Sequence, residues 1–177
     1  PLCVIWLSFR GVSWTHAMTD LGLHRGAGLV KEVMIGIGGA CASIPLMGIL
    51  NVLVTIVQIA IEGGDTSSGT SVRTPGMYEV PDGGTWGLIW LGVLGSVIYA
   101  PITEEVLFRG ALQRWLRVRL NWFFAVLISA FVFGVIHPYS IDGLISVAFG
   151  GICMGLMREW RQSLIAPIVM HFMHNGF

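Results

Sequence analysis

Long apolar runs separated by short polar stretches dominate this chain. Residues 33–61 are almost wholly apolar and lie between Glu32 and Glu62, which exceeds the roughly 20 residues that a membrane-spanning helix needs. Four further apolar runs predict four more spans, at residues 86–108, 122–136, 144–157 and 164–177. The pattern therefore predicts an all-α fold, a polytopic transmembrane helix bundle of about five spans.

Helix-breaking residues and polar stretches set the predicted limits of these spans. Pro45 lies inside the first run and predicts a kink there. His137 and Pro138 end the third run, because the residue before a proline is pushed out of the α region. Residues 63–84 are rich in Gly, Ser, Thr and Pro and predict an extramembrane loop. The second helix is expected to continue beyond its span as the Arg-bearing stretch 109–120.

The chain divides into two parts by composition. Residues 1–32 are expected to hold the end of a preceding span and a cytoplasmic linker, and residues 33–177 form the transmembrane domain. Because the sequence opens with Pro1 and stops inside an apolar run, we expect it to be a fragment of a longer chain.

Composition and charge support a membrane protein and exclude some partners. The 177 residues are 54% hydrophobic and only 11% charged, with a mean hydropathy of +0.76. The formal net charge of zero offers no basis for nucleic-acid binding. We therefore expect the partners to be the lipid bilayer and a substrate in or at the membrane.

The positive charges predict one orientation of the bundle. If the spans alternate, eight cationic residues fall on one side: Arg10, Arg25, Lys31, Arg114, Arg117, Arg119, Arg158 and Arg161. The opposite side has only Arg73, in a loop that also holds four carboxylates. The positive-inside rule then puts the Arg-rich side in the cytoplasm.

Ionisable residues inside the second span predict a functional site. A charged side chain in a bilayer costs roughly 2.5–3.5 kcal/mol on insertion scales, so such residues are functional candidates. Glu105 and Arg109 are four residues apart on one helix face and are expected to neutralise each other. Glu104 points about 100° away from that pair and is a candidate general acid or base. The alternative is a structural ion-pair network that pins helices together.

Two later runs add polar residues at a similar depth. His137 ends the third span, one turn after Phe133, while His171 and Asn175 share a face of the last one. At 1.5 Å per residue, His171 lies about 15 Å and the other candidates about 20–24 Å from the Arg-rich surface. Two aligned donors such as His171 and Asn175 suit an oxyanion site. Polar contacts between helices are the competing interpretation.

Three motifs in this order resemble a known family. They are Glu-Glu-x-x-x-Arg at 104–109, Phe-x-x-x-His at 133–137 and His-x-x-x-Asn at 171–175. The sequence resembles the CPBP intramembrane proteases, the CAAX-protease and bacteriocin-processing (Abi) group that includes the type II CAAX prenyl endopeptidase. The motif core covers residues 86–175, and residues 21–25 resemble the lead-in of the family. The resemblance implies an integral protein of the prokaryotic cytoplasmic membrane.

The resemblance also implies roles for the candidate residues. Glu104 and His137 would activate the attacking water, and His171 with Asn175 would stabilise the oxyanion, with Glu105 and Arg109 in support. The family is named as metalloproteases, and a metal-free glutamate mechanism is also proposed for it. Glu104, His137 and His171 would be adequate ligands for Zn or another divalent metal. The H-E-x-x-H signature of zincins is absent from the sequence, so we favour no permanent zinc.

Three functions remain open on the sequence. The favoured one is an endopeptidase that cleaves a membrane-associated peptide or lipidated protein, either a prenylated CAAX protein or a bacteriocin-type peptide. The second is a non-catalytic membrane scaffold or bacteriocin-immunity protein with the same fold. The third is a haem- or ion-handling protein that uses His137, His171 and His174, the last of which has no role in the motifs.

Overall fold

The computed structural model describes residue 9, residues 11–61 and residues 86–176, and this described part is helical with no strand. The predicted loop at 63–84 and most of the apolar stretch that opens the chain lie outside the described residues. The described part contains six helices, α1 Trp14–Leu21, α2 Leu29–Ile61, α3 Trp86–Arg117, α4 Trp122–Val135, α5 Ile141–Arg161 and α6 Ile165–Gly176.

Five of these helices coincide with the five predicted runs, and the all-α membrane bundle is confirmed. Helices α2, α3 and α5 are long and apolar enough to cross a membrane. Helix α4 has 14 residues and α6 has 12, which makes them about 21 Å and 18 Å long and shorter than a full span. Helix α1 is an addition, because residues 1–32 carried no prediction of a separate short helix.

The helices pack through small residues at their crossings. Helix α4 lies along α5, and α2 lies along both α6 and α5. A Cβ built on Gly36 of α2 would stand 2.6 Å from the backbone oxygen of Ala166 in α6. One on Gly151 of α5 would stand 3.2 Å from Ala130 in α4. Small residues at helix crossings in membranes let backbones approach closely, and they do so here.

The Arg-rich end of the bundle is fastened by polar contacts. Glu32 is fully buried and accepts two hydrogen bonds from Arg161, at 3.1 and 2.6 Å. The segment after α1 docks on the connection between α5 and α6, where Leu164 donates its backbone N–H to Gly22 and Ser163 donates to the His24 carbonyl. The lead-in segment at 21–25 is thus part of the packed structure.

Helix α3 changes its winding twice around the Glu-Glu motif. It is π-helical over Leu94–Tyr99 and again over Val106–Leu112, with one ordinary α segment, Ala100–Glu105, between them. Pro101 is the second residue of that segment and lacks the N–H that would donate to the preceding turn. Each π-helical turn rotates the residues beyond it relative to a regular helix, so the two stretches set where Glu104, Glu105 and Arg109 point.

Candidate active site

The ion pair between Glu105 and Arg109 forms the buried base of the site. Arg109 Nη1 lies 2.8 Å from Glu105 Oε1, and both side chains are withdrawn from solvent. The predicted i, i+4 pair is therefore present. Because two opposite charges of α3 face each other inside the bundle, neither stands as a lone charge in the apolar interior.

Arg109 also ties α3 to two neighbouring helices. Its Nη2 donates to the carbonyl of Gly151 in α5 at 3.1 Å. Its Cζ lies 4.4 Å from the ring centroid of Phe133 in α4, within cation–π range. Arg109 of α3 therefore contacts both α4 and α5.

His171 of α6 lies between the two glutamates of the motif. Its Nδ1 is 2.9 Å from Glu105 Oε1, and its Nε2 is 3.7 Å from Glu104 Oε2. Glu105 is a carboxylate that accepts from Arg109, so the Nδ1 of His171 is the donor in that bond. This assignment directs the other ring nitrogen, Nε2, towards Glu104.

His137 approaches Glu104 from the end of α4. Its Nδ1 lies 2.7 Å from the Phe133 carbonyl, an acceptor, so Nδ1 carries the hydrogen. Its Nε2 lies 4.0 Å from Glu104 Oε2. Glu104 keeps 26% of its side chain exposed, whereas Glu105 is fully buried. The two adjacent glutamates thus have different environments, one accessible and one enclosed.

Three helices therefore bring Glu104, His137 and His171 to one place. The separations of 3.7 and 4.0 Å exceed hydrogen-bond length and suit groups that share a small intervening molecule. One carboxylate with two imidazole Nε2 atoms is a suitable donor set for zinc. Across residues 9, 11–61 and 86–176, however, no group of three His, Cys, Asp or Glu side chains is close enough to hold a metal ion. The donor types fit a metal, and holding one would require Glu104 and each imidazole to approach more closely.

Asn175 lies at the exposed end of α6 and contacts α3. Its Nδ2 donates to the Ser96 carbonyl at 2.9 Å, inside the first π-helical stretch. One amide hydrogen is thereby used to join the two helices, while the amide group has a second one. The oxyanion role of Asn175 stays a prediction.

His174 takes no part in this cluster. Its Nε2 lies 2.8 Å from the Ser43 hydroxyl of α2, and that hydroxyl donates to the Ala40 carbonyl at 3.3 Å. The additional histidine of the last motif therefore holds α6 against α2.

Comparison with known proteins decides the family. The family model described as "Type II CAAX prenyl endopeptidase Rce1-like" matches residues 85–177, slightly more than half of the chain and all three motifs. The chain belongs to the Rce1-like family. A curated relative, "Putative membrane peptidase YdiL" of Bacillus subtilis (strain 168), is 32% identical over 87 residues. That match covers 49% of the chain and 35% of the relative, so the chain spans about a third of that protein. No solved structure matches.

This Rce1-like chain is thus an integral membrane protein of a peptidase family, with the predicted motif residues on α3, α4 and α6. Its family match begins at residue 85, so helices α1 and α2 lie outside the matched region. Within the matched region, the structure adds contacts that motif spacing does not reveal, namely the Gly151 carbonyl, the Ser96 carbonyl and Tyr139.

Tyr139 is the functional candidate that sequence reasoning missed in the Rce1-like site. Its ring stacks on His137 with centroids 5.5 Å apart and an interplanar angle of 28°. Its backbone N–H donates to the His137 carbonyl at 2.8 Å, across Pro138. Burial raises the pKa of Tyr139, and the Glu104 carboxylate raises this pKa further. The His-Pro-Tyr order was the available signal, because the fixed φ of proline favours such a tight turn.

Proposed function

We propose that this protein is an intramembrane endopeptidase in which Glu104 activates the water that hydrolyses a peptide bond. The observation that supports it is the approach of His137 and His171, from two different helices, to the accessible carboxylate of Glu104 at 4.0 and 3.7 Å. An accessible carboxylate beside two imidazoles, inside a membrane bundle, is a suitable arrangement for general-base catalysis.

In the proposed first step, a water molecule lies between Glu104 and His137. The Nε2 of His137 carries a lone pair, because Nδ1–H is held by the Phe133 carbonyl, so it accepts one water hydrogen and orients the water. Glu104 takes the other proton as the water oxygen attacks the carbonyl carbon. Glu104 then delivers that proton to the amide nitrogen as the carbon–nitrogen bond breaks.

The oxyanion is proposed to be stabilised by His171 and Asn175. Since Nδ1 of His171 already donates to Glu105, the ring donates to an oxyanion through Nε2 only in its doubly protonated form. A cationic donor is a strong partner for an oxyanion in a low-dielectric site. Asn175 supplies its remaining amide hydrogen, and Glu105 and Arg109 fix the histidine in place.

The substrate is proposed to be a membrane-associated peptide or lipidated protein. The family description supports a prenylated CAAX protein as the first class, and a bacteriocin-type peptide is the second. A peptide that reaches a site inside a bilayer must arrive from the membrane or its surface, and this favours substrates that carry a lipid or an apolar segment.

The test is the isosteric substitution Glu104→Gln, with Glu159→Gln at the Arg-rich end as the matched control. Proteomics of cells that carry each variant should identify a peptide that stops being processed only with Glu104→Gln. The purified variant should keep the thermal unfolding of the wild type and lose at least about a hundredfold in cleavage rate. A Glu104→Gln protein that still processes that peptide, or supports the cellular phenotype, would instead favour the scaffold or immunity protein.

A further inference from the structure

A polar cleft of about 200 Å³ opens between α3 and α5 at the Arg-rich end of the bundle. Glu159 is the one carboxylate among the residues that line it. Four arginines also line the cleft: Arg109, Arg114, Arg117 and Arg158. The cleft lies apart from Glu104 and His137, neither of which lines it.

Three of the four arginines already have carboxylate partners. Arg109 pairs with Glu105 at 2.8 Å. Arg114 pairs with Asp20 at 3.0 Å, and Arg117 pairs with Glu159 at 3.1 Å. These three pairs cancel, so the cleft keeps one uncompensated positive charge.

That charge belongs to Arg158, which is only 8% exposed. Its buried Nε has no hydrogen-bond partner, and its guanidinium forms no ion pair within the described part of the chain. A buried charge without an anion is costly, so this arginine is poised for an anionic ligand.

The backbone beside Arg158 is shaped to admit its guanidinium. Gly22 lies at φ +88°, a conformation that favours glycine, and a Cβ there would stand 2.8 Å from Arg158 Nη2. The buried Oε1 of Gln113, another lining residue, also has no partner in the described residues. The cleft is therefore a formed pocket with unsatisfied polar groups, rather than a patch of surface arginines.

The surroundings of the cleft point to a lipid. Trp115 follows Arg114 and is 52% exposed, and Trp160 follows Glu159 and is 65% exposed. Exposed tryptophans at helix ends are typical of the membrane interface. Basic pockets between transmembrane helices at that level bind anionic headgroups.

We propose that this cleft binds the phosphodiester headgroup of an anionic phospholipid, with Arg158 as its principal contact. The single uncompensated charge of the cleft matches the single charge of a phosphodiester. The amide hydrogens of Gln113 are donated to the Gly155 carbonyl and to Glu159, so its free Oε1 would accept from a hydroxyl of a headgroup such as glycerol. The proposal concerns binding alone and does not depend on the peptidase mechanism.

The test is native mass spectrometry of the purified protein with dioleoyl phosphatidylglycerol and dioleoyl phosphatidylcholine. We expect one phosphatidylglycerol to bind at least about fivefold more tightly than phosphatidylcholine. Arg158→Gln should abolish this preference. Arg119→Gln is the matched control, because Arg119 is exposed and lies 4.1 Å over the ring of Trp115, outside the cleft. It should keep the preference.

Equal binding of the two lipids by the wild type would overturn the proposal, and so would an unchanged preference in a folded Arg158→Gln protein. If that variant fails to fold, Arg158→Met takes its place, since it keeps the aliphatic stem, removes the charge and should likewise abolish the preference. Inorganic phosphate is the third arm. If millimolar phosphate displaces the bound phosphatidylglycerol, the cleft is a site for soluble phosphate and the lipid assignment is wrong.

Discussion

Nδ1 of His171 and Oε1 of Glu105 lie 2.9 Å apart and join α6 to α3 inside the bundle. The same carboxylate oxygen accepts from Arg109 at 2.8 Å, so one buried oxygen serves both the cation and the imidazole. The second glutamate of the motif therefore holds and orients a histidine, in addition to neutralising an arginine. Its neighbour Glu104, accessible and close to two imidazoles, is the glutamate that we propose to carry the chemistry.

Replacing Glu105 by Gln should destabilise the protein. The substitution leaves Arg109 as an uncompensated buried charge, and loss of one partner of such a pair costs about 3–5 kcal/mol. The free energy of unfolding, measured in detergent, should fall by this amount. Glu159→Gln is the control, since Arg117 and Glu159 are partly exposed and such pairs contribute at most about 1 kcal/mol. Equal stability of the two variants would contradict the anchoring role of Glu105.

Tyr139 should affect the reaction rate, because its stacked ring fixes the position of the His137 ring. Tyr139→Leu removes the aromatic contact and should lower kcat about three- to tenfold, while KM stays near that of the wild type. Tyr139→Phe keeps the stack and should remain within a factor of about two. Steady-state kinetics of both variants provide the measurement. If the Phe variant loses as much activity as the Leu variant, the phenol hydroxyl and not the stack is what matters.

Substitution by alanine should have opposite effects on protein stability at two nearby glycines of α2. Gly36→Ala puts a methyl group 2.6 Å from the Ala166 carbonyl and should cost about 1–3 kcal/mol by forcing α6 away. Gly38→Ala meets nothing within 4 Å and should be neutral or stabilising by up to about 1 kcal/mol. Thermal unfolding compares them directly. Because α6 carries His171, the Gly36 variant should also lose activity.

Cleavage should survive removal of divalent metal. In the proposed mechanism Glu104 and His137 hold and activate the water by themselves, so no metal is required. Dialysis against EDTA, followed by elemental analysis and a cleavage assay, should find an active protein with well under one equivalent of zinc. Activity that disappears on dialysis and returns with stoichiometric zinc would show that a metal draws these residues together.

The sequence by itself determined the helices and the chemical groups. Long apolar runs exclude water-soluble packing, and backbone polar groups in lipid must be satisfied within a helix, so the five hydrophobic segments had to become helices. The i, i+4 spacing of Glu105 and Arg109 fixed their ion pair, because a helix brings those positions to one face.

The tertiary structure decided which polar groups meet. No spacing rule relates His171 to Glu105, or Arg158 to Gly22, because such contacts depend on how helices cross and rotate. The two π-helical stretches of α3 alter that rotation, and neither follows from the 3.6-residue period used to read the sequence. Depth along each helix is a one-dimensional quantity that residue counting supplies, whereas the direction each side chain faces across the bundle emerges only from packing.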